Sequence, residues 1–136
     1  MQKLKIKKYL TEKENTEICK NLIEEVMQKR QMILLVSPLC TGKTTLSLDF
    51  IPKYLEHYYM GTIKIFVSPR VSLLQELNTK YDIMQVSNGI REQDIIIADT
   101  IPIATTNDSL YKVINRCKQY YKKYLLIVDE SHEMVS

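Results

Sequence analysis

The stretch Met32-Ile33-Leu34-Leu35-Val36-Ser37-Pro38-Leu39-Cys40-Thr41-Gly42-Lys43-Thr44-Thr45 decides the fold. Its first five residues are apolar without alternation, which is how a strand buried on both faces reads. The strand runs directly into small-x-x-x-x-Gly-Lys-Thr, from Ser37 to Thr44, with serine where glycine is commoner. A loop of this kind at a helix start turns successive backbone N–H groups toward one anion, helped by the helix dipole. Gly42 lets the backbone approach phosphate oxygens, Lys43 places an ammonium against the β and γ phosphates, and the Thr44 hydroxyl suits a magnesium ion. Ser37, Cys40, Thr41, Gly42, Lys43, Thr44 and Thr45 are therefore the candidate nucleotide-binding residues of a Walker A loop. Cys40 also raises a redox-switch reading, because a helix amino terminus lowers a thiol pKa. An incidental loop cysteine is the simpler alternative.

A partner for that loop comes near the other end of the chain. Leu125-Leu126-Ile127-Val128 is a second apolar strand, and Asp129-Glu130 follows it at once. In an open α/β sheet, ligands bind outside the carboxyl ends of the strands. Asp129 is placed there to hold magnesium, and Glu130 to polarise a water attacking the γ phosphate. With Lys43 they form the candidate catalytic set, and ATP with Mg2+ is the expected cofactor pair.

Composition narrows the class. The chain has 136 residues, 45% of them hydrophobic, with three glycines and four prolines, which suits one globular domain. No apolar run approaches the roughly 20 residues of a membrane span, and no apolar core follows the basic amino terminus as in a secretory signal. Three scattered cysteines form neither a disulfide framework nor a zinc pattern. An intracellular, non-secreted chain without membrane contact is expected. The net charge is +3, with eight Lys or Arg against five Glu in residues 1–30 and an even balance beyond. That basic segment reads as a solvated helix surface or as an arm able to touch nucleic acid.

Apolar spacing predicts a helix from about Glu14 to Gln28 and another through Leu46, Phe50 and Ile51, with a bend or break at Pro52. A strand is expected over 63–67 and a helix around 71–79 through Leu73, Leu74 and Leu77. Weaker strands are read at 83–86, 95–98 and 101–105, followed by a helix from about Ser109 to Tyr121 and the strand 125–128. Strands and helices alternate, so the expected fold is α/β, a parallel sheet with helices on both faces. The domains expected are a basic helical segment, 1–30, and a partial P-loop domain, 31–136. Only six residues follow Glu130, so the sheet is expected to be truncated after this Walker B strand.

Four motifs now carry a resemblance. Asp129-Glu130-Ser131-His132 resembles the Asp-Glu-x-His box of superfamily 2 helicases, and Ser68-Pro69-Arg70 with the following leucines is similar to their motif Ia. Thr106-Asn107-Asp108-Ser109-Leu110 resembles the threonine motif before the Asp-Glu box. With the phosphate loop they stand in the family's order over roughly residues 30–134. The pair Ser-Pro-Arg and Thr-x-x-Ser-Leu is also similar to viral origin-binding helicases.

The resemblance implies a RecA-like amino-terminal motor domain that hydrolyses ATP to translocate on or unwind nucleic acid. Pro69, Arg70 and Thr106 would lie along a strand's phosphates, with DNA expected before RNA. His132 would couple the nucleotide state to the nucleic acid or to a second RecA-like domain, normally in the same chain. That second domain supplies arginine fingers in this family, so the chain alone is expected to hydrolyse poorly. No adenine-reading glutamine motif precedes the loop. Two other classes fit the phosphate loop: a P-loop kinase of a nucleoside or other small molecule, and a nucleotide-gated binding module without turnover. A kinase would need an acceptor pocket and a cationic lid, and gives Ser68-Pro69-Arg70 no task.

Overall fold

The computed structural model describes residues 2–5, 11–29, 32–37, 46–68, 75, 78–87 and 89–131. Six strands form one sheet: β1 (Gln2–Lys5), β2 (Met32–Ser37), β3 (Ile63–Val67), β4 (Met84–Val86), β5 (Ile103–Thr105) and β6 (Tyr124–Ser131). Their spatial order is β1-β2-β6-β3-β5-β4, and every neighbouring pair is parallel.

The first helical segment opens at a capping box. Glu14 N–H donates to Thr11 Oγ1 at 3.2 Å and Thr11 N–H donates to Glu14 Oε1 at 3.3 Å, which satisfies donors that a helix start leaves unpaired. From there α1 (Glu12–Ile18), a π turn (Cys19–Ile23) and α2 (Glu24–Lys29) run on without a break. A second π turn (Leu46–Phe50) leads into α3 (Ile51–Tyr58). The bend anticipated at Pro52 takes this form: a proline ring clashes with the carbonyl four residues back, and a widened turn in front of it makes room. The last helix is α4 (Leu110–Gln119).

Which face each helix covers follows from handedness. Connections between parallel strands are right-handed, so crossovers running toward β4 share one face and those running back share the other. The connections β1 to β2 and β2 to β3 run toward β4. Accordingly Cys19, Ile23, Val26, Leu48, Ile51 and Leu55 pack together on the face shown by Phe66, Ala104, Leu125 and Ile127. The connections β4 to β5 and β5 to β6 run back. Ile95, Val113 and Cys117 therefore meet Ile63, Ile65, Val67, Ile103 and Leu126 on the opposite face. The sheet is covered on both sides, as its unbroken apolar strands require.

Two sequence expectations change. Residues 2–5, placed in a helical amino-terminal segment, form the parallel edge strand β1. The segment is also part of the same core, because Cys19, Ile23 and Val26 are buried against α3 and the sheet. The run 95–98 is not a strand: it follows a 3-10 turn (Glu92–Asp94) as irregular chain. Of the helix expected at 71–79, residues 75 and 78–80 are helical, and Leu73, Leu74 and Leu77 lie outside the described residues.

Ile23→Ala is therefore expected to lower stability by about 2–5 kcal/mol, the usual cost of deleting a buried branched side chain. A urea titration checks this. An unmoved midpoint would mean that the amino-terminal segment is an independent arm.

The cysteines described are buried on opposite faces of the sheet, Cys19 on one and Cys117 on the other. They cannot bridge, and burial pushes both thiols up to about 11, which keeps them protonated and unreactive at neutral pH.

α4 ends unusually. Tyr121 N–H donates to Lys118 C=O at 3.1 Å and Lys122 N–H donates to Cys117 C=O at 2.9 Å. This is a Schellman cap whose left-handed residue, normally glycine, is Tyr121 at φ 54°. A tyrosine there costs about 1–2 kcal/mol that glycine would not.

Candidate functional site

The carboxyl edge of the sheet holds the described residues from which the sequence motifs start or end, Ser37, Ser68, Thr106 and Asp129-Glu130. Register places Leu35 beside Asp129, Val36 beside Glu130 and Ser37 beside Ser131. The start of the phosphate loop and the acidic strand end are thus direct neighbours, one strand spacing of about 4.8 Å apart. This contact exists because β6 inserts between β2 and β3. The helix following the loop, through α3, covers one face there, while α4, which leads into β6, covers the other. Such a reversal in strand order opens a crevice at the carboxyl edge.

Cys40, Thr41, Gly42, Lys43, Thr44 and Thr45 lie outside the described residues, as do Pro69, Arg70 and His132. Of Ser37, Asp129 and Glu130 the backbone position is described. Next along the same edge, β3 ends at Val67 and the buried Ser68 donates its N–H to Thr105 C=O at 3.0 Å. That bond holds the start of Ser68-Pro69-Arg70 against the end of β5. Thr106 follows β5 directly and is 7% exposed. It stands at the N-cap of the 3-10 turn Asn107–Ser109, yet its side chain makes no capping bond. Its Oγ1 is buried and has no hydrogen-bond partner among the described residues. Capping therefore does not account for this threonine.

Two cavities lie elsewhere. One of about 450 Å³ sits between the amino-terminal helices and α3, lined by Cys19, Glu24, Tyr54 and Tyr58 among others. Across it the Tyr54 phenol donates to Glu24 Oε1 at 2.9 Å. Burial first, and then Glu24, hold that phenol well above the usual tyrosine range. The other, about 350 Å³, lies at the amino edge beside Lys64. The Lys64 side chain is 3% exposed and its ammonium donates to Glu56 Oε1 at 3.3 Å and to Asp99 C=O. Neither cavity is lined by a strand's carboxyl end. Sequence reading did not single out Lys64, whose place in an otherwise apolar strand was the available signal.

The family model for the type III restriction enzyme, res subunit, matches residues 8–136. The chain belongs to this family. It is a family of superfamily 2 helicase amino-terminal motor domains with the P-loop NTPase fold, so the RecA-like expectation holds. At the level of the res-subunit family the chain is a helicase-type ATPase motor domain. The finer likeness to viral origin-binding helicases draws no support from this match. Comparison with curated proteins and with solved structures gave no match. Among the described residues, no helix is long and apolar enough to cross a membrane.

Proposed function

We propose that this chain is the nucleotide-binding half of an ATP-driven motor that moves along nucleic acid. The observation that carries the reading is the register Val36 beside Glu130 and Ser37 beside Ser131, which brings the loop and the acid pair to one edge. This placement fits a nucleotide with its metal: Thr44 and Asp129 would hold magnesium, and Ser37 through Thr45 the phosphates. When bound, the ion would neutralise charge on the β and γ oxygens. Lys43 adds a fixed ammonium to the same oxygens. Glu130 takes a proton from water as the water oxygen bonds to the γ phosphorus and the bond to the β-γ bridging oxygen breaks. ADP and phosphate result, and the proton leaves Glu130 for solvent.

The nucleic-acid track would run along the neighbouring strand ends. β3 and β5 are adjacent, so the strand ends that precede Pro69-Arg70 and Thr106 in the sequence lie side by side. Arg70 would supply a guanidinium for phosphate, and Thr106 brings a hydroxyl that has no partner among the described residues. DNA is the expected polymer, since restriction enzymes act on DNA. His132 would report the nucleotide state to a second RecA-like domain. In this family a second domain supplies an arginine finger worth about a thousandfold or more in rate, so full turnover is expected of a motor in which both domains act together.

The test is Arg70→Ala in the intact native protein. Its affinity for single strands and its stimulated ATPase rate should both fall, with nucleotide binding unchanged. The salt slope of binding should drop by about one unit, as for one lost phosphate contact. An effect confined to nucleotide binding or folding would remove Arg70 from the track. Nucleotide binding with no turnover in any condition would instead indicate a nucleotide-gated module.

A further inference from the structure

We propose that the amino edge of the sheet, opposite the nucleotide edge, carries a second surface for single-stranded nucleic acid, centred on Tyr121. The observation is an anomaly in two respects. Tyr121 occupies the left-handed cap position that favours glycine, and the residue is 96% exposed. Neither stability nor solubility explains a tyrosine there. Strain held at an exposed residue points to use.

Its surroundings specify the ligand. The turn containing Tyr121 leads into β6, and the turn before β3 lies beside it, joined by Ile63 N–H donating to Lys123 C=O at 2.8 Å. That second turn carries Met60, 85% exposed, so the two most exposed large apolar side chains flank one edge. Tyr120 is held beneath the Arg116 guanidinium, 4.9 Å from its ring centroid, and its hydroxyl accepts from Arg116 at 3.1 Å. Lysines interleave the tyrosines in Lys118-Gln119-Tyr120-Tyr121-Lys122-Lys123. Lys122 lies 3.5 Å from Asp99, while Lys118 and Lys123 make no ion pair among the described residues. Exposed rings between unpaired cations are what single strands bind: bases stack on the rings and phosphates meet the lysines. An apolar partner would not call for the cations, and an acidic protein would not call for a stacked, solvent-facing ring.

The proposal depends on the motor reading for the class of ligand alone; the surface is separate from the carboxyl-edge track. The experiment uses a fluorescent oligothymidylate and the full chain. Tyr121→Gly relieves the strained cap, so Tm should rise by a few degrees while oligonucleotide affinity falls about tenfold, the low end for one lost stack. Lys118→Ala with Lys123→Ala should reduce the salt slope by about one unit per lysine. Photocrosslinking with a halogenated-uracil strand should label residues 120–123. Unchanged affinity in Tyr121→Gly would overturn the proposal, as would crosslinks confined to the region of Arg70 and Thr106. Displacement by polyglutamate as effective as by oligonucleotide would also overturn it, since it would mark a surface for acidic protein. Labelling at 120–123 without labelling near Arg70 would refute the carboxyl-edge track and leave this surface standing.

Discussion

Glu130→Gln is expected to cut ATP turnover by about 10²–10⁴-fold in the intact native protein, the range for loss of a general base, while nucleotide still binds. The amide keeps the size and hydrogen-bonding reach of the carboxylate but cannot take a proton. The substitution should therefore spare the phosphate contacts, which are proposed for Ser37 through Thr45. Register supports the assignment, because Glu130 lies beside Val36, one residue before the loop starts. The measurement is a pair: steady-state phosphate release, and a titration with a fluorescent ATP analogue. Unchanged turnover would make Glu130 a structural acid and move the base elsewhere.

Lys43→Ala should act one step earlier, weakening nucleotide affinity by about ten- to a hundredfold. That corresponds to about 1.5–3 kcal/mol, the worth of hydrogen bonds to a charged group. The loss should grow with the number of phosphates, so ATP should suffer more than ADP, and adenosine should be indifferent. Equal titrations of the variant and the native chain would remove Lys43 from the phosphate site. The two substitutions thus separate binding from chemistry. One should lose affinity, and the other turnover alone.

Much of this architecture was legible before any coordinates. β2, β3 and β6 announce themselves because each carries an apolar run, broken in β3 only by the ion-paired Lys64, and the helices through Ile23 and Val113 show a helical apolar period. Asp129-Glu130 could be set at a strand end from the apolar run before them, which is β6, whereas the phosphate loop proposed to face them lies outside the described residues. β1 escaped notice since Gln2-Lys3-Leu4-Lys5 is short and charged, which is how edge strands avoid pairing with other chains. Ile95-Ile96-Ile97 misled in the opposite direction. Ile95 and Ile97 pack onto the sheet between β4 and β5, while Ile96 faces solvent. The run has no place in the ladder there, because β5 is already paired on both sides, by β3 and β4. The order β1-β2-β6-β3-β5-β4 was not legible at all, since local pattern carries no record of which distant strand lies alongside. Nor was Tyr121, whose unusual conformation shows in backbone angles and not in residue type.

The insertion of β6 between β2 and β3 also has a temporal side. Its partner Met32–Ser37 is made early, and Tyr124–Ser131 is made after the other five described strands. During synthesis, at about 5–20 residues per second, β2 and β3 must wait several seconds with bare edges for the strand that belongs between them. Closing so long a loop slows folding, and open apolar edges invite association with other nascent chains. Such a chain is a natural client for chaperones on the ribosome. The carboxyl edge between β2 and β3 would likewise be completed in a single step, when this central strand arrives.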